Sequence, residues 1–150
     1  MQAVTKGLLA GVAGTTALNL TTYGDMLLRG RPSSDVPAQV AGRLADRMGI
    51  RREKGDAQEN RAQASGALLG QVTGLGIGAM YGLLPNRDEA VPRWVAGSLL
   101  GVAAMAGSDL PATVLKVTEP KSWDVKSWVS DIVPHLAYGF TTVAVYRALR

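Results

Sequence analysis

Cysteine is absent from the sequence, and histidine occurs only once, as His135. The missing cysteines exclude disulfide bonds, iron–sulfur clusters, thiolate zinc sites and a cysteine nucleophile. A single histidine excludes metal clusters that use several imidazoles. A G-x-S-x-G motif, which marks one large class of serine hydrolases, is also missing. We therefore expect no metal, no cofactor and no enzymatic activity.

Charged side chains are scarce as well, at 19% of the residues against about 25% in soluble domains. Hydrophobic residues make up 47% of the chain, and 18 residues are glycine. Four windows of 15 to 25 residues contain no charge, and a helix needs about 20 apolar residues to cross a bilayer. With a few flanking residues, these windows predict membrane spans over about residues 5–28, 62–84, 91–108 and 128–147. The predicted fold is an all-α, polytopic membrane protein whose four transmembrane helices form one bundle domain.

Aromatic residues are few, at 5% of the chain, and seven of the eight lie at or near the ends of the predicted spans. Tryptophan and tyrosine prefer the headgroup region because their rings favour lipid while their N–H or O–H groups favour water. The alternative, a soluble helical bundle, would bury its aromatic residues centrally and would stay in solution without detergent. The distribution therefore favours the lipid bilayer as the surroundings of this chain.

One long polar stretch, residues 29–61, separates the first two predicted spans. Its first half predicts an amphipathic helix over residues 34–48, with Val36, Val40, Leu44 and Met48 on one face, lying in the membrane interface or over the bundle. Its second half predicts a solvated turn. The six acidic residues between Asp25 and Glu59 nearly cancel the eight basic residues from Arg29 to Arg61, so we expect no nucleic-acid binding. Counting Lys and Arg on the two sides favours both termini outside the cytoplasm.

The second predicted span carries glycines at a strict interval of four residues: Gly66, Gly70, Gly74, Gly78 and Gly82. Four residues turn a helix by about 400°, so these positions form one nearly continuous small-residue groove, a glycine zipper. Gly97 and Gly101 repeat the spacing on the third span, and Gly7 and Gly11 repeat it on the first. In lipid, such faces let helices approach closely. They predict packing within the bundle or, alternatively, an interface with a second copy or another membrane protein.

Polar residues of the last predicted span share one helix face. Asp131 and His135 are four residues apart, and Tyr138 extends the same face. Asp109, followed by Pro111, lies at a predicted helix break after the third span. An ionisable group inside a membrane usually faces the bundle interior and has a partner. Two hypotheses stay open: a structural role, or a proton, ion or solute site that also involves Asp109, Asn19 or Gln71.

The C-terminal third combines a proline-containing helix break, a loop with proline and aromatic residues, and a Ser-acid-Ile-x-x-His-Leu helix start, at residues 109–111, 120–124 and 130–136. With the glycine-rich first span and the prolines that follow it, this order resembles the YagU-like family of small bacterial inner-membrane proteins. The resemblance implies a multi-pass protein of the bacterial plasma membrane with no established chemistry. It also implies a cytoplasmic N-terminus, in conflict with the charge count.

Two functions are compatible with the sequence. The first is a non-enzymatic membrane component that acts through its glycine-lined helix faces, as a homo-oligomer or as an accessory subunit of a membrane complex. The alternative is a small proton, ion or solute pathway centred on Asp131 and His135. In both, the lipid bilayer is the first partner of the chain.

Overall fold

The computed structural model describes residues 2–50, 55–84 and 91–149. In these residues the chain is entirely helical apart from turns and loops, which confirms the all-α prediction. A short 3₁₀ helix, Pro120–Ser122, precedes the last α-helix. The α-helices are α1 (Ala3–Arg29), α2 (Val36–Arg47), α3 (Asp56–Leu83), α4 (Arg93–Val114) and α5 (Val125–Ala148).

The four long helices form an antiparallel bundle. α1 lies between α3 and α5, α4 packs against α5, and the contact between α3 and α4 is looser. Gly7 and Gly11 of α1 face Gly78 and Gly74 of α3, respectively, so these two helices run in opposite directions. One end of the bundle, the Ala3 end, holds the start of α1. The other, the Arg29 end, holds the starts of α3 and α5.

The short helix α2 packs against α3 and α4. Its contact with α3 is close, because a Cβ at Gly66 would lie 2.6 Å from the carbonyl carbon of Pro37. Ala41 and Gly42 are buried, whereas Leu44 and Met48 are exposed. The face of α2 that packs against the bundle therefore carries small residues, and two of its large apolar side chains lie on the surface. A helix of a soluble protein usually buries its large apolar side chains instead.

The helices differ from the predicted spans at several ends. α3 begins at Asp56, inside the segment for which a solvated turn was predicted, and residues 51–54 lie outside the described part. α4 continues through Pro111 to Val114, so the predicted break at Asp109 is wrong. Buried Ala112 and Leu115 anchor this last turn in the bundle, and their packing outweighs the backbone hydrogen bond that a proline removes.

One helix has the length and the hydropathy of a membrane span. Within the described residues, α4 alone is both long and apolar enough to cross a membrane. α1, α3 and α5 are longer than α4, but glycine, threonine and other polar residues lower their mean hydropathy. Some of these small residues, among them Gly7, Gly11, Gly74 and Gly78, lie in the contacts between the helices.

The start of α5 offers a test of local stability. The Asp124 carboxylate accepts a hydrogen bond from the backbone N–H of Ser127 at 2.8 Å and so caps the helix. Hydrogen bonds from the Ser127 hydroxyl and backbone hold the pKa of Asp124 below its usual value. We expect Asp124→Ala to lower the thermal stability of the detergent-solubilised protein at neutral pH.

Because the folded-state pKa is lowered, the capping contribution is complete above the pKa that Asp124 has in the unfolded chain. It disappears as the pH falls through the folded-state value. The stability difference between the native chain and Asp124→Ala should therefore shrink in acid. Asp124→Ser, which keeps a capping oxygen without a titrating group, is the control. A difference that is unchanged by acid would contradict the assignment.

Candidate functional site

The contact between α1 and α3 consists of backbone against backbone. A Cβ placed on Gly78 would lie 2.5 Å from the Gly7 carbonyl oxygen and 2.6 Å from the Gly11 Cα. A Cβ placed on Gly82 would lie 2.5 Å from the Ala3 carbonyl oxygen. These glycines therefore allow an approach that no other residue permits, and the chain itself occupies this part of the groove.

The contact between α4 and α5 is built in the same way. A Cβ on Gly101 would lie 2.8 Å from the carbonyl oxygen of His135, and one on Gly97 would collide with the ring of Phe140. Gly139 of α5 faces Gly97 and Gly101 and was not singled out from the sequence. The approach of α4 to α5 brings the polar residues of both helices together near the Arg29 end.

Gly70 departs from the rest of the zipper. It lies between buried Gly66 and buried Gly74, but it is itself exposed. A Cβ at Gly70 would meet no atom of the described chain within 4 Å. At this level, therefore, the groove of α3 faces open space, between the part covered by α2 and the part covered by α1.

Tyr138 fills the middle of the bundle. Its side chain is 1% exposed, and its hydroxyl donates a hydrogen bond of 2.5 Å to the Gly74 carbonyl oxygen of α3. The ring also lies against Gly14 of α1, where an added Cβ would come within 2.9 Å of it. Buried Thr15 and Thr142 surround it. Tyr138 thus joins three helices and closes the bundle interior at this level.

The predicted polar residues meet one to two turns nearer the Arg29 end. His135 Nδ1 lies 2.7 Å from the backbone oxygen of Asp131 and 3.3 Å from its carboxylate Oδ1. His135 Nε2 lies 3.4 Å from the Ser108 hydroxyl of α4. The Asp109 carboxyl interacts directly with that of Asp131. The structure therefore brings Asp109, Asp131 and His135 together, and it adds Ser108.

This acid–imidazole cluster is enclosed but not sealed. The side chains of His135 and Asp131 are 13% and 21% exposed. Ser108 is exposed although Ala104 and Ala112, one turn before and one turn after it on α4, are buried. Its neighbour Gly107 faces Thr73 of α3, one turn beyond open Gly70. We call the exposed surface around Ser108 and Gly70, where α3 and α4 pack loosely, the vestibule.

A charged group lies between the cluster and the Arg29 end. Asp25 accepts hydrogen bonds of 2.5 Å from both Arg29 and Arg31. Arg29 also donates to the Ser130 hydroxyl of α5, next to Asp131. The two predicted neighbours of the site are placed differently: Gln71 is exposed, and in the described chain neither Asn19 nor Gln71 hydrogen-bonds to Asp131 or His135. Arg29 and Ser130 are 101 residues apart, so periodicity gave no signal for their contact.

Comparison with known proteins adds no function to this geometry. No protein-family model matches the chain, and no curated protein or solved structure is significantly similar to it. The resemblance to the YagU-like family therefore stays a prediction, and function has to be argued from the site.

Proposed function

We propose that this chain is a proton-conducting membrane protein, in which four helices cross the bilayer and Asp109, Asp131 and His135 exchange protons inside the bundle. The observation that carries the proposal is the acid–imidazole cluster, which lies between packed helices and is partly exposed beside the vestibule. Buried charge inside a membrane is costly and usually marks a pathway for protons or ions.

Support for the membrane location comes from the distribution of side-chain size. The interior consists mainly of glycine, alanine, threonine and tyrosine, with Leu100, Leu115 and Val143 as its buried aliphatic residues. Large apolar side chains are more numerous on the outside of the long helices: Leu9, Val12, Leu20, Leu68, Val72, Met80, Leu99, Val102, Leu110, Val129 and Val133. A water-soluble bundle places such residues inside. Small residues at helix contacts and large apolar ones outside are typical of bundles in lipid.

Tryptophans mark both ends of the proposed spans. Trp94 lies at the start of α4 and is exposed, at the Ala3 end. Trp123 and Trp128 form a pair with ring centroids 5.0 Å apart at the Arg29 end. The 22 residues of α4 correspond to about 33 Å of helix, close to the thickness of the hydrocarbon core. The length of α4 and the tryptophans at both ends of the bundle therefore support the proposed membrane location.

The chemistry of the cluster favours protons over other solutes. Carboxyl and imidazole groups gain and lose protons at accessible pH values, and imidazole does so near neutrality. Direct contact between the carboxyls of Asp109 and Asp131 is favourable when they share a proton. His135 can take up or deliver a proton on Nε2, which faces Ser108.

The first hypothesis from the sequence, assembly through the glycine faces, receives less support. Gly66, Gly74, Gly78 and Gly82 contact α2, α1 or α5 within the same chain, and Gly97 and Gly101 contact α5. Where the groove is filled from within it offers no surface to a partner, and of the zipper glycines Gly70 alone faces open space in the described chain. We therefore place the function in the polar site and treat the glycines as the means of positioning it.

Proton flux into liposomes tests the proposal. The purified chain is reconstituted with a pH-sensitive dye inside, and a potassium gradient with valinomycin supplies the driving potential. We expect dye acidification with the native chain, and a loss of at least about tenfold with Asp131→Asn or His135→Ala, because each removes a proton-exchanging group. Asp35→Asn, at an exposed position before α2, should leave the flux unchanged. No flux with the native chain, or undiminished flux with both site variants, would overturn the proposal.

A further inference from the structure

The polar face of α5 does not end at His135 but continues toward the Ala3 end. Tyr138, Thr142 and Tyr146 follow at intervals of three and four residues, so they lie on the same side of the helix. All three are buried. From His135 to Tyr146 the helix rises about 16 Å, roughly half the thickness of a hydrocarbon core. A row of hydroxyl groups thus runs from the acid–imidazole cluster into the other half of the bundle.

Two hydroxyls near this row lack hydrogen-bond partners. Tyr81 of α3 and Thr142 are 4% and 0% exposed, and neither the Tyr81 hydroxyl nor Thr142 Oγ1 has a hydrogen-bond partner in the described chain. Tyr81 packs edge-on against Tyr146, with ring centroids 5.2 Å apart. Buried hydroxyls of native proteins are nearly always paired. A partner for these hydroxyls must be small and able both to donate and to accept hydrogen bonds, and water has that chemistry.

We propose that the hydroxyls of Tyr138, Thr142 and Tyr81 bind a short file of water molecules and relay protons between the acid–imidazole cluster and the Ala3 end. The inference rests on the proposed function and assigns a path to it. In each step an oxygen accepts a proton from one neighbour and releases its own to the next. No bond to carbon changes and no electron is transferred, so the row returns to its starting state by rotation of the hydroxyls and waters.

Tyr138 makes this relay selective for protons. Its ring lies against Gly14 and Gly74, and its hydroxyl is hydrogen-bonded to the Gly74 carbonyl. A hydrated metal ion or an organic solute cannot pass such a closure without separating α1, α3 and α5. A proton can pass along the hydroxyls because only hydrogen positions change. The vestibule on one side of Tyr138 and the hydroxyl row on the other together form one path.

Two isosteric substitutions test the relay. Thr142→Val and Tyr81→Phe each remove one buried hydroxyl and preserve the shape of the side chain. Each change removes hydrogen bonds to water but no hydrogen bond to a protein group and no packing contact, so we expect a near-native unfolding midpoint. Proton flux should fall by about tenfold in each variant. Thr16→Val and Tyr23→Phe make the same chemical changes at exposed positions and serve as matched controls.

The outcomes separate the relay from the proposed function. If Asp131→Asn abolishes flux while Thr142→Val and Tyr81→Phe conduct like the native chain, the cluster conducts by another route and the relay is wrong. If the native chain does not conduct, both proposals fail. Sodium or rubidium flux through the native chain at the rate of proton flux would also contradict the closure at Tyr138.

Discussion

Gly78→Ala is expected to destabilise the bundle by about 1–3 kcal/mol, although it adds only one methyl group. The new Cβ would lie 2.5 Å from the Gly7 carbonyl oxygen and 2.6 Å from the Gly11 Cα, and both are backbone atoms of α1 that no side-chain rotation can move. α1 would have to shift away from α3 along its whole length. Unfolding of the detergent-solubilised protein, followed by circular dichroism during titration with a denaturing detergent, measures the effect.

Gly76→Ala is the matched control, because it makes the same change two residues away on α3. A Cβ at Gly76 meets no described atom within 4 Å, so only helix propensity changes there. Alanine is a better helix former than glycine by about 1 kcal/mol in water, so this variant should be as stable as the native chain or more stable. Equal stability of the two variants would mean that α1 and α3 do not approach as closely as the structure has them.

The glycine pattern illustrates what sequence periodicity can and cannot predict. An interval of four residues placed the zipper on one side of α3, and most of its members do lie in helix contacts. The pattern did not reveal that Gly66 would meet α2, that Gly78 would meet α1, or that Gly70 would face open space. These partners depend on how far each helix is shifted along its neighbour, and a single helix carries no information about that shift.

Helix ends show the limit of local rules. Pro111 predicted a break after the third span, but α4 continues past it to Val114. The free energy lost with the backbone hydrogen bond at Pro111 can be read from the sequence, because it depends only on the presence of proline. The free energy gained by burying Ala112 and Leu115 depends on helices that are distant in sequence.

Spacing along a single helix predicted some residues of the site but not all of them. Asp131, His135 and Tyr138 were placed on one face from their intervals, and they do share it. Ser108, whose hydroxyl lies 3.4 Å from His135 Nε2, was not predicted as a neighbour. Its approach follows from the contact of Gly101 with the His135 backbone, which fixes the register between α4 and α5. Side chains that meet across helices become predictable only when such a contact is known.

Tyr138→Ala is expected to destabilise the bundle by about 3–5 kcal/mol, the range found when large aromatic core residues are truncated. Tyr138 is 1% exposed and contacts both α1 and α3 from α5. Its loss leaves a cavity where three helices meet. Tyr23→Ala, at an exposed tyrosine of α1, should change the unfolding midpoint much less because it removes no buried contacts.

Tyr138→Phe separates the ring from its hydroxyl. The phenylalanine ring keeps the contacts with Gly14 and Gly74, so only the hydrogen bond to the Gly74 carbonyl is lost, at about 0.5–1.5 kcal/mol. A large loss with alanine and a small one with phenylalanine would mean that the ring holds the helices together. In that case the proposed proton relay would be the main reason for the hydroxyl. Equal losses for the two variants would instead make the hydrogen bond the main structural contribution and remove that reason.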